Sequence, residues 1–150
     1  MLREQPIKAK EGIFLVAKIK DYSQLLKPNL SFMVVFSSVI GYLLAPGIVF
    51  EWDKVLLLFI GGTLVTGGAN TINQILEREG DAMMKRTMIR PLPDQRMGLT
   101  EAWIIAIAAG LSGVLLLGLY FNTLTCILSL ISLLLYAFAY TPMKRVHPMA

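Results

Sequence analysis

Three oxygen-bearing side chains recur at every fourth residue in one stretch of the chain, at Asn73, Glu77 and Asp81. On a continuous helix this spacing keeps them on one face over about 12 Å. Carboxylate and carboxamide oxygens are hard ligands, and Mg²⁺ is commonly held by one or two carboxylates together with the oxygens of a phosphate group. These residues, the polar row, therefore predict a site for Mg²⁺ and a diphosphate.

Basic residues follow the polar row at Lys85, Arg86 and Arg90, here called the basic trio. Guanidinium groups suit bidentate contact with phosphate, and a lysine supplies a point charge. We expect the trio to fold back over the row, because Gly80 would loosen the helix before Asp81 and Arg90 precedes a proline, which favours extended backbone. The alternative is a helix end with i, i+4 ion pairs, whose basic residues only mark one side of a membrane.

The elements that must position these residues are membrane-spanning helices. Of the 150 residues, 55% are hydrophobic and 16% are charged, which is too apolar for an ordinary soluble domain. A span takes about 20 apolar residues. Four segments qualify, from about Leu30 to Val49, Val55 to Leu76, Ala102 to Tyr120 and Leu124 to Tyr140. We therefore predict an all-α, polytopic membrane bundle with four transmembrane helices and the polar row at the end of the second.

The placement of Lys and Arg predicts the orientation of the spans. Before, between and after the four spans the counts are 6, 1, 5, 0 and 2. Because basic residues are enriched in cytoplasmic loops, the N-terminus and the 78–100 loop are expected on the cytoplasmic side of a bacterial-type inner membrane. Basic residues that cluster beside spans argue against a nucleic-acid partner.

The N-terminal segment, residues 1–28, has an amphipathic pattern that fits a cytoplasmic or interfacial helix. Its lysines would lie at the lipid headgroups, and its apolar residues would be partly immersed, namely Ile13, Phe14, Val16, Ala17 and Ile19. A solvated tail fits the sequence equally well. Pro28 is expected to end the segment, since the residue before a proline avoids the helical conformation.

Smaller signals predict how the spans begin and pack. Thr100 is expected to be the N-cap of the third span, with Glu101 in its first turn near the positive end of the helix dipole. The glycines of the second span predict close contact with a neighbouring helix. They are Gly61, Gly62, Gly67 and Gly68.

The stretch ANTINQILEREGDAMMKRTMIRPLP, residues 69–93, resembles the first polar motif of the UbiA family of intramembrane prenyltransferases, N-x3-D-x3-D followed by K/R-R-T-x2-R-P. Within the family the chain is most similar to the branch that acts on haem. That similarity lies in AN-x2-NQ before Glu77, in MKRT at 84–87, in KPNLSFMVVFSSVIGYLLAPG at 27–47 and in YTPMKR at 140–145. The resemblance covers nearly the whole chain from Lys27 onward.

The resemblance implies Mg²⁺-dependent transfer of a farnesyl group from farnesyl diphosphate to a vinyl group of haem B, giving haem O. Haem B would then be a substrate and not a prosthetic group. By motif position the polar row would be catalytic and hold Mg²⁺ with the diphosphate, and the basic trio would neutralise the departing diphosphate. A water-poor cavity in the bilayer would strengthen these fixed charges and house the farnesyl tail.

Two features depart from the family pattern. Glu77 stands where the family usually has aspartate, although its longer arm still reaches a metal ion. Family members have about nine helices and a second acidic motif, whereas this chain has no acidic residue after Glu101. The resemblance therefore implies that residues 29–150 are the N-terminal part of the domain, missing a C-terminal half, and we expect the 150-residue chain alone to be inactive.

Two other functions remain open from the sequence. One is a UbiA-family enzyme with an aromatic acceptor, such as a hydroxybenzoate or a quinone precursor. The other is a non-catalytic four-span membrane protein that retains the motif. The single histidine, His147, follows the fourth span, where a solvated side chain is more usual than a haem ligand.

Overall fold

In a computed structural model, residues 5–146 of the chain are described, and they contain helices and turns but no strand. The helices are α1 (Gln5–Leu26), α2 (Pro28–Leu44), α3 (Trp52–Met83), α4 (Leu99–Tyr120), α5 (Thr123–Leu134) and α6 (Thr141–Val146). A π-helical segment, Leu135–Tyr140, joins α5 to α6. The predicted all-α bundle is confirmed.

Three of the helical stretches are long and apolar enough to cross a membrane, namely Trp52–Met83, Leu99–Tyr120 and Thr123–Lys144. The first predicted span is shorter than expected, because its helix ends at Leu44. It passes the same test only together with α1, from which it bends by 46°. The chain therefore has three candidate spans, or four if the bent pair counts as one.

The tightest contact in the bundle is between α3 and α4, where glycines let the two backbones meet. A Cβ atom on Gly68 would lie 2.7 Å from the backbone nitrogen of Gly110, and one on Gly113 would lie 2.7 Å from that of Val65. Small residues at crossing points allow this approach in membrane helices. The expected close packing by the glycines of the second span is confirmed, and it fixes α3 in the centre of the fold.

Two predictions about helix ends are wrong. Gly80 does not loosen the helix, which continues through Asp81 to Met83. A single glycine costs only about 1 kcal/mol relative to alanine, and the turns on either side carry the helix across it. Thr100 is not the N-cap of α4, since that position is Gly98 in extended conformation and Thr100 falls in the first turn.

The N-terminal segment is helical from Gln5 and ends at Leu26, directly before Lys27 and Pro28 as predicted. One side of α1 is attached to the bundle: Lys18 and Tyr22 both donate to the carboxylate of Glu101, at 3.0 and 2.7 Å. The apolar residues predicted to be immersed lie on the exposed part of α1. The helix is thus anchored by its polar side, which leaves its apolar side open to its surroundings.

Candidate active site

The polar row lies on the last turns of α3 and is buried. Asn73 is 4% and Asp81 6% exposed, and the side chain of Glu77 is 13% exposed. Because α3 is continuous across Gly80, the three residues keep the shared face that their spacing predicts. The row therefore points into the protein.

Each carboxylate of the row has a cation from another part of the chain. Nη1 of Arg90 lies 2.6 Å from Oδ2 of Asp81, and Nζ of Lys144 lies 3.4 Å from Oε1 of Glu77. The amide of Asn73 donates to the other oxygen of Glu77 at 3.1 Å. The chain thus pairs both acids with its own cations, and of the basic trio, which was expected to fold back over the row, Arg90 does so.

The π-helical segment delivers the remaining neighbours of the row. Thr141, which is buried, follows it directly, and its hydroxyl lies 2.8 Å from Oδ1 of Asn73 and 3.0 Å from the carbonyl of Tyr136. Pro142 comes next, and a proline lacks the N–H and crowds the preceding turn of an α-helix. The widened turn thus falls where proline weakens the helix, and π-helical turns are frequent at functional sites.

Two further α3 side chains next to the row, those of Asn70 and Gln74, are hydrogen-bonded to the bend between α1 and α2. The amide of Gln74 donates to the carbonyls of Gln24 and Leu25, at 3.0 and 2.8 Å, and that of Asn70 donates to the carbonyl of Leu26 at 3.3 Å. Carbonyls at the end of a helix lack helical partners, and these amides supply them. The AN-x2-NQ run therefore fixes where α1 ends.

Lys27 occupies the bend itself, with φ 50° and ψ 65°, a left-handed conformation that is uncommon outside glycine. There it is half-buried and lines the same groove as Arg90. Lys27 thus lies beside the cation that pairs with Asp81.

A basic groove of about 500 Å³ opens beside the row, lined by Lys27, Arg86 and Arg90 among others. Arg86 is exposed there, whereas Lys85 is exposed without lining the groove. Within the part of the chain that the structure describes, Lys85 and Arg86 form no salt bridge. Of the basic trio, only Arg90 touches the polar row.

An apolar cavity of about 570 Å³ lies between α2, α3 and the end of α5, and on α3 it reaches Asn70, one turn before the row. Val34, Val65 and Leu133 form part of its wall. Its polar groups include Asn70 and Tyr136, whose hydroxyl lies 3.4 Å from Oδ1 of Asn70. The site therefore combines charged groups with an apolar space large enough for a hydrocarbon chain.

The donor set at the row fits a magnesium ion that shares its ligands with a phosphate. Among the residues that the structure describes, no three His, Cys, Asp or Glu side chains cluster as metal ligands. Mg²⁺ rarely relies on an all-protein cage and usually takes one or two carboxylates with substrate phosphates. Glu77 and Asp81 meet that need, while both polar ends of Asn73 are engaged by Glu77 and Thr141.

Sequence reasoning missed several residues of the site. The sequence analysis assigns no role at the site to Lys27, Thr141 or Lys144, although all three lie in stretches that carry the resemblance. The YTPMKR stretch that carries the resemblance contains Thr141 and Lys144, so its quoted residues held a signal for both. His147 lies outside the described residues.

Comparison with known proteins places the chain in a family. Residues 34–150 match the model of the UbiA prenyltransferase family. The chain is 42% identical over 136 residues to a protoheme IX farnesyltransferase of Cytophaga hutchinsonii, with 91% of the chain and 48% of the relative covered. It is 41% identical over 132 residues to that of Christiangramia forsetii (88% and 43%) and 41% identical over 128 residues to the mitochondrial one of Arabidopsis thaliana (85% and 30%).

The matched relatives are longer than this chain. It spans about half the length of the two bacterial relatives and less of the plant protein. No solved structure matches it.

Proposed function

Because the chain belongs to the UbiA prenyltransferase family, we propose that it serves the transfer of a farnesyl group from farnesyl diphosphate to a vinyl group of haem B. Diphosphate leaves with the bonding electrons, and water then adds its hydroxyl to the second carbon of the vinyl group and releases a proton, giving haem O. The names of the relatives, protoheme IX farnesyltransferase, support this acceptor and donor. The observation that carries the proposal is the buried polar row, whose two carboxylates face cations from separate segments. Diphosphate with a divalent ion is the ligand that offers a partner to both charges.

The site works by an exchange of partners. Arg90 and Lys144 pair with Asp81 and Glu77. A diphosphate would offer these two cations its own oxygens, which would leave the carboxylates available to hold a metal ion. Cations fixed in a site of low dielectric stabilise the negative charge that grows on the departing diphosphate more strongly than they would in water.

Glu77 and Asp81 are the residues that would hold Mg²⁺, and Asn73 keeps Glu77 oriented through its 3.1 Å hydrogen bond. When bound, Mg²⁺ supplies charge stabilisation for the phosphoryl oxygens. Arg86 and Lys27 lie at the groove, where they attract the anionic end of the substrate. Lys85 contributes to the same positive field from an exposed position.

The apolar cavity between α2, α3 and the end of α5 receives the farnesyl chain. Its wall is mostly apolar, and on α3 it reaches Asn70, one helical turn before Asn73 of the row. This arrangement keeps water from the carbon that leaves the diphosphate. The chain works as an integral membrane protein, with the row at the cytoplasmic face of a bacterial-type inner membrane.

A transfer assay tests the donor and the acceptor together. The chain is reconstituted in lipid vesicles with farnesyl diphosphate, haem B and Mg²⁺, alone and with the unmatched part of the Cytophaga hutchinsonii relative expressed beside it. We expect haem O from the combined sample, detected by its retention and mass. The arm with the chain alone tests the expectation that the 150 residues are inactive by themselves.

Two further arms separate the other functions. Hydroxybenzoate in place of haem B tests an aromatic acceptor, and prenylated hydroxybenzoate without haem O would contradict the proposed acceptor. Asp81→Asn in the combined sample tests a non-catalytic protein: an unchanged yield of haem O would show that the row takes no part in the chemistry.

A further inference from the structure

Helix α1 carries a buried carboxylate, that of Asp21, outside the polar row. Asp21 is 4% exposed, and a buried carboxylate is costly unless it is paired and hydrogen-bonded. Its partner is Arg96, whose Nη1 donates to Oδ1 of Asp21. A charge in α1 thus depends on a residue of the 84–98 loop, the connection between α3 and α4 that carries the basic trio.

Arg96 holds more than Asp21. Its Nη2 donates to the carbonyl of Ile89 at 2.6 Å, and its Nε donates to Asp94 at 2.8 Å. A guanidinium presents its donors in fixed directions, which a lysine does not reproduce. Because Ile89 directly precedes Arg90, the side chain that grips α1 also fixes the backbone next to Arg90.

The backbone of the loop reverses direction just before Arg96. Gln95 has φ 56°, in the left-handed region that non-glycine residues rarely adopt, and such a residue persists only where its surroundings hold it. Its N–H donates to the carbonyl of Leu92 at 3.2 Å, and the N–H of Met97 donates to that of Pro91 at 3.2 Å. These bonds make residues 91–97 a compact unit that contains Arg96.

We propose that Asp21 and Arg96 are positioning residues, which fasten the 84–98 loop to α1 and so hold Arg90 against Asp81. The inference rests on the proposed function only for the task of the Arg90–Asp81 pair. The placement of the loop is a property of the free chain and is measurable without any ligand.

Trypsin measures that placement, because Lys85 and Arg86 are exposed cleavage sites in the loop. Proteolysis follows the population of the open form when opening is fast. In the purified chain in detergent, Asp21→Asn and Arg96→Gln should each raise the rate of cleavage after Lys85 and Arg86 by about tenfold. Mass spectrometry assigns each cut, so that cleavage elsewhere is counted separately.

The matched control is Asp94→Asn, which removes an exposed partner of the same guanidinium and leaves the bond to Asp21. It should change the cleavage rate by less than about twofold, as surface ion pairs contribute little. A second control reverses the pair, Asp21→Arg with Arg96→Asp, and should lower the rate only part of the way towards that of the unchanged chain, because it restores the ion pair but not the bond to the carbonyl of Ile89. No rise with Asp21→Asn, or an equal rise with Asp94→Asn, overturns the proposal.

If a single substitution prevents folding, as judged by circular dichroism, the reversed pair decides the question. A folded chain with slow cleavage supports the proposal, and an unfolded one overturns it.

Inorganic pyrophosphate with Mg²⁺ tests whether Asp21 acts through Arg90. Asp21→Asn should weaken its binding severalfold, Arg90→Gln should weaken it more, and the two together should lose no more than Arg90→Gln alone. Additive losses would contradict a positioning role, because residues that act through one another are not additive. If the unchanged chain binds no pyrophosphate even when combined with the unmatched part of the Cytophaga hutchinsonii relative, the proposed function fails, while the proteolysis still decides where the loop lies.

Discussion

Two sets of ion pairs lie at the same end of the fold, and they differ in how fully their cations are used. In the site pairs, Asp81–Arg90 and Glu77–Lys144, each cation makes a single contact within the described residues. In the clamp pairs, Asp21–Arg96 and Glu101–Lys18, Arg96 donates through three nitrogens, and Lys18 donates to both oxygens of Glu101. This difference shows that burial of an ion pair does not by itself indicate a binding site. A cation beside a cavity whose N–H donors are not all used is a better indication.

The largest expected effect separates the two sets by ligand binding. Asp81→Asn leaves the size of the side chain unchanged but removes its charge, and breaking a buried pair costs about 3–5 kcal/mol. We expect the affinity for Mg²⁺ and pyrophosphate to fall by about 100-fold or more, measured by titration calorimetry in detergent. Glu79→Gln, on the exposed side of the same helix, is the matched control and should bind normally. Equal affinity of Asp81→Asn and the unchanged chain would remove the distinction between the sets.

A smaller effect is expected where α3, which carries the site pairs, is hydrogen-bonded to the end of α1, which carries part of the clamp pairs. Gln74 is fully buried and supplies the end of α1 with two hydrogen bonds, so Gln74→Leu leaves the carbonyls of Gln24 and Leu25 unsatisfied. The free energy of unfolding should fall by about 1–3 kcal/mol, measured by titration with sodium dodecyl sulfate. Unchanged stability would mean that these bonds do not hold α1 to α3.

Removing the hydroxyl of Thr141 should have a smaller effect on stability and on ligand affinity. Thr141→Val keeps the shape of the side chain but removes the bond to Asn73, worth about 1 kcal/mol of unfolding free energy. Because Asn73 orients Glu77, the affinity for Mg²⁺ and pyrophosphate should also fall a few-fold, whereas Thr100→Val, in the first turn of α4, should leave both quantities unchanged. A loss of stability without a loss of affinity would assign Thr141 to the scaffold.

The smallest effect is expected at the clamp pair nearest the surface. The side chains of Lys18 and Glu101 are 27% and 35% exposed, so Glu101→Gln should lower the free energy of unfolding by at most about 1 kcal/mol. Pyrophosphate binding should not change, since the side-chain partners of Glu101 are Lys18 and Tyr22 of α1, away from the polar row. A marked loss of affinity would show that the clamp is itself part of the binding site.

The features that could be predicted from the sequence are those that depend on local pattern. Three of the four predicted spans follow from hydropathy. The shared face of Asn73, Glu77 and Asp81 follows from helical spacing, because a helix repeats at every 3.6 residues wherever it lies. Helix boundaries were less certain: Gly80 and Thr100 show that a weak helix former or a good capping residue does not decide where a helix ends.

The rest of the site depends on contacts between distant segments, which no local pattern contains. Lys144 reaches Glu77 across 67 positions, and Asp21 and Arg96 are separated by 75. The bend at Lys27 is made by amides of α3 that are remote in sequence, and the π-helical segment departs from the regular period altogether. Proximity of this kind has to be seen in three dimensions.

The π-helical segment also makes the chain unusually sensitive to its own length. Each residue advances a helix by about 100°, so a turn with one extra residue sets the phase of everything that follows. Thr141 and Lys144 face Asn73 and Glu77 only in that phase. Deleting any one residue between 135 and 140 would therefore rotate Thr141 and Lys144 away from Asn73 and Glu77, although none of these four residues is itself changed.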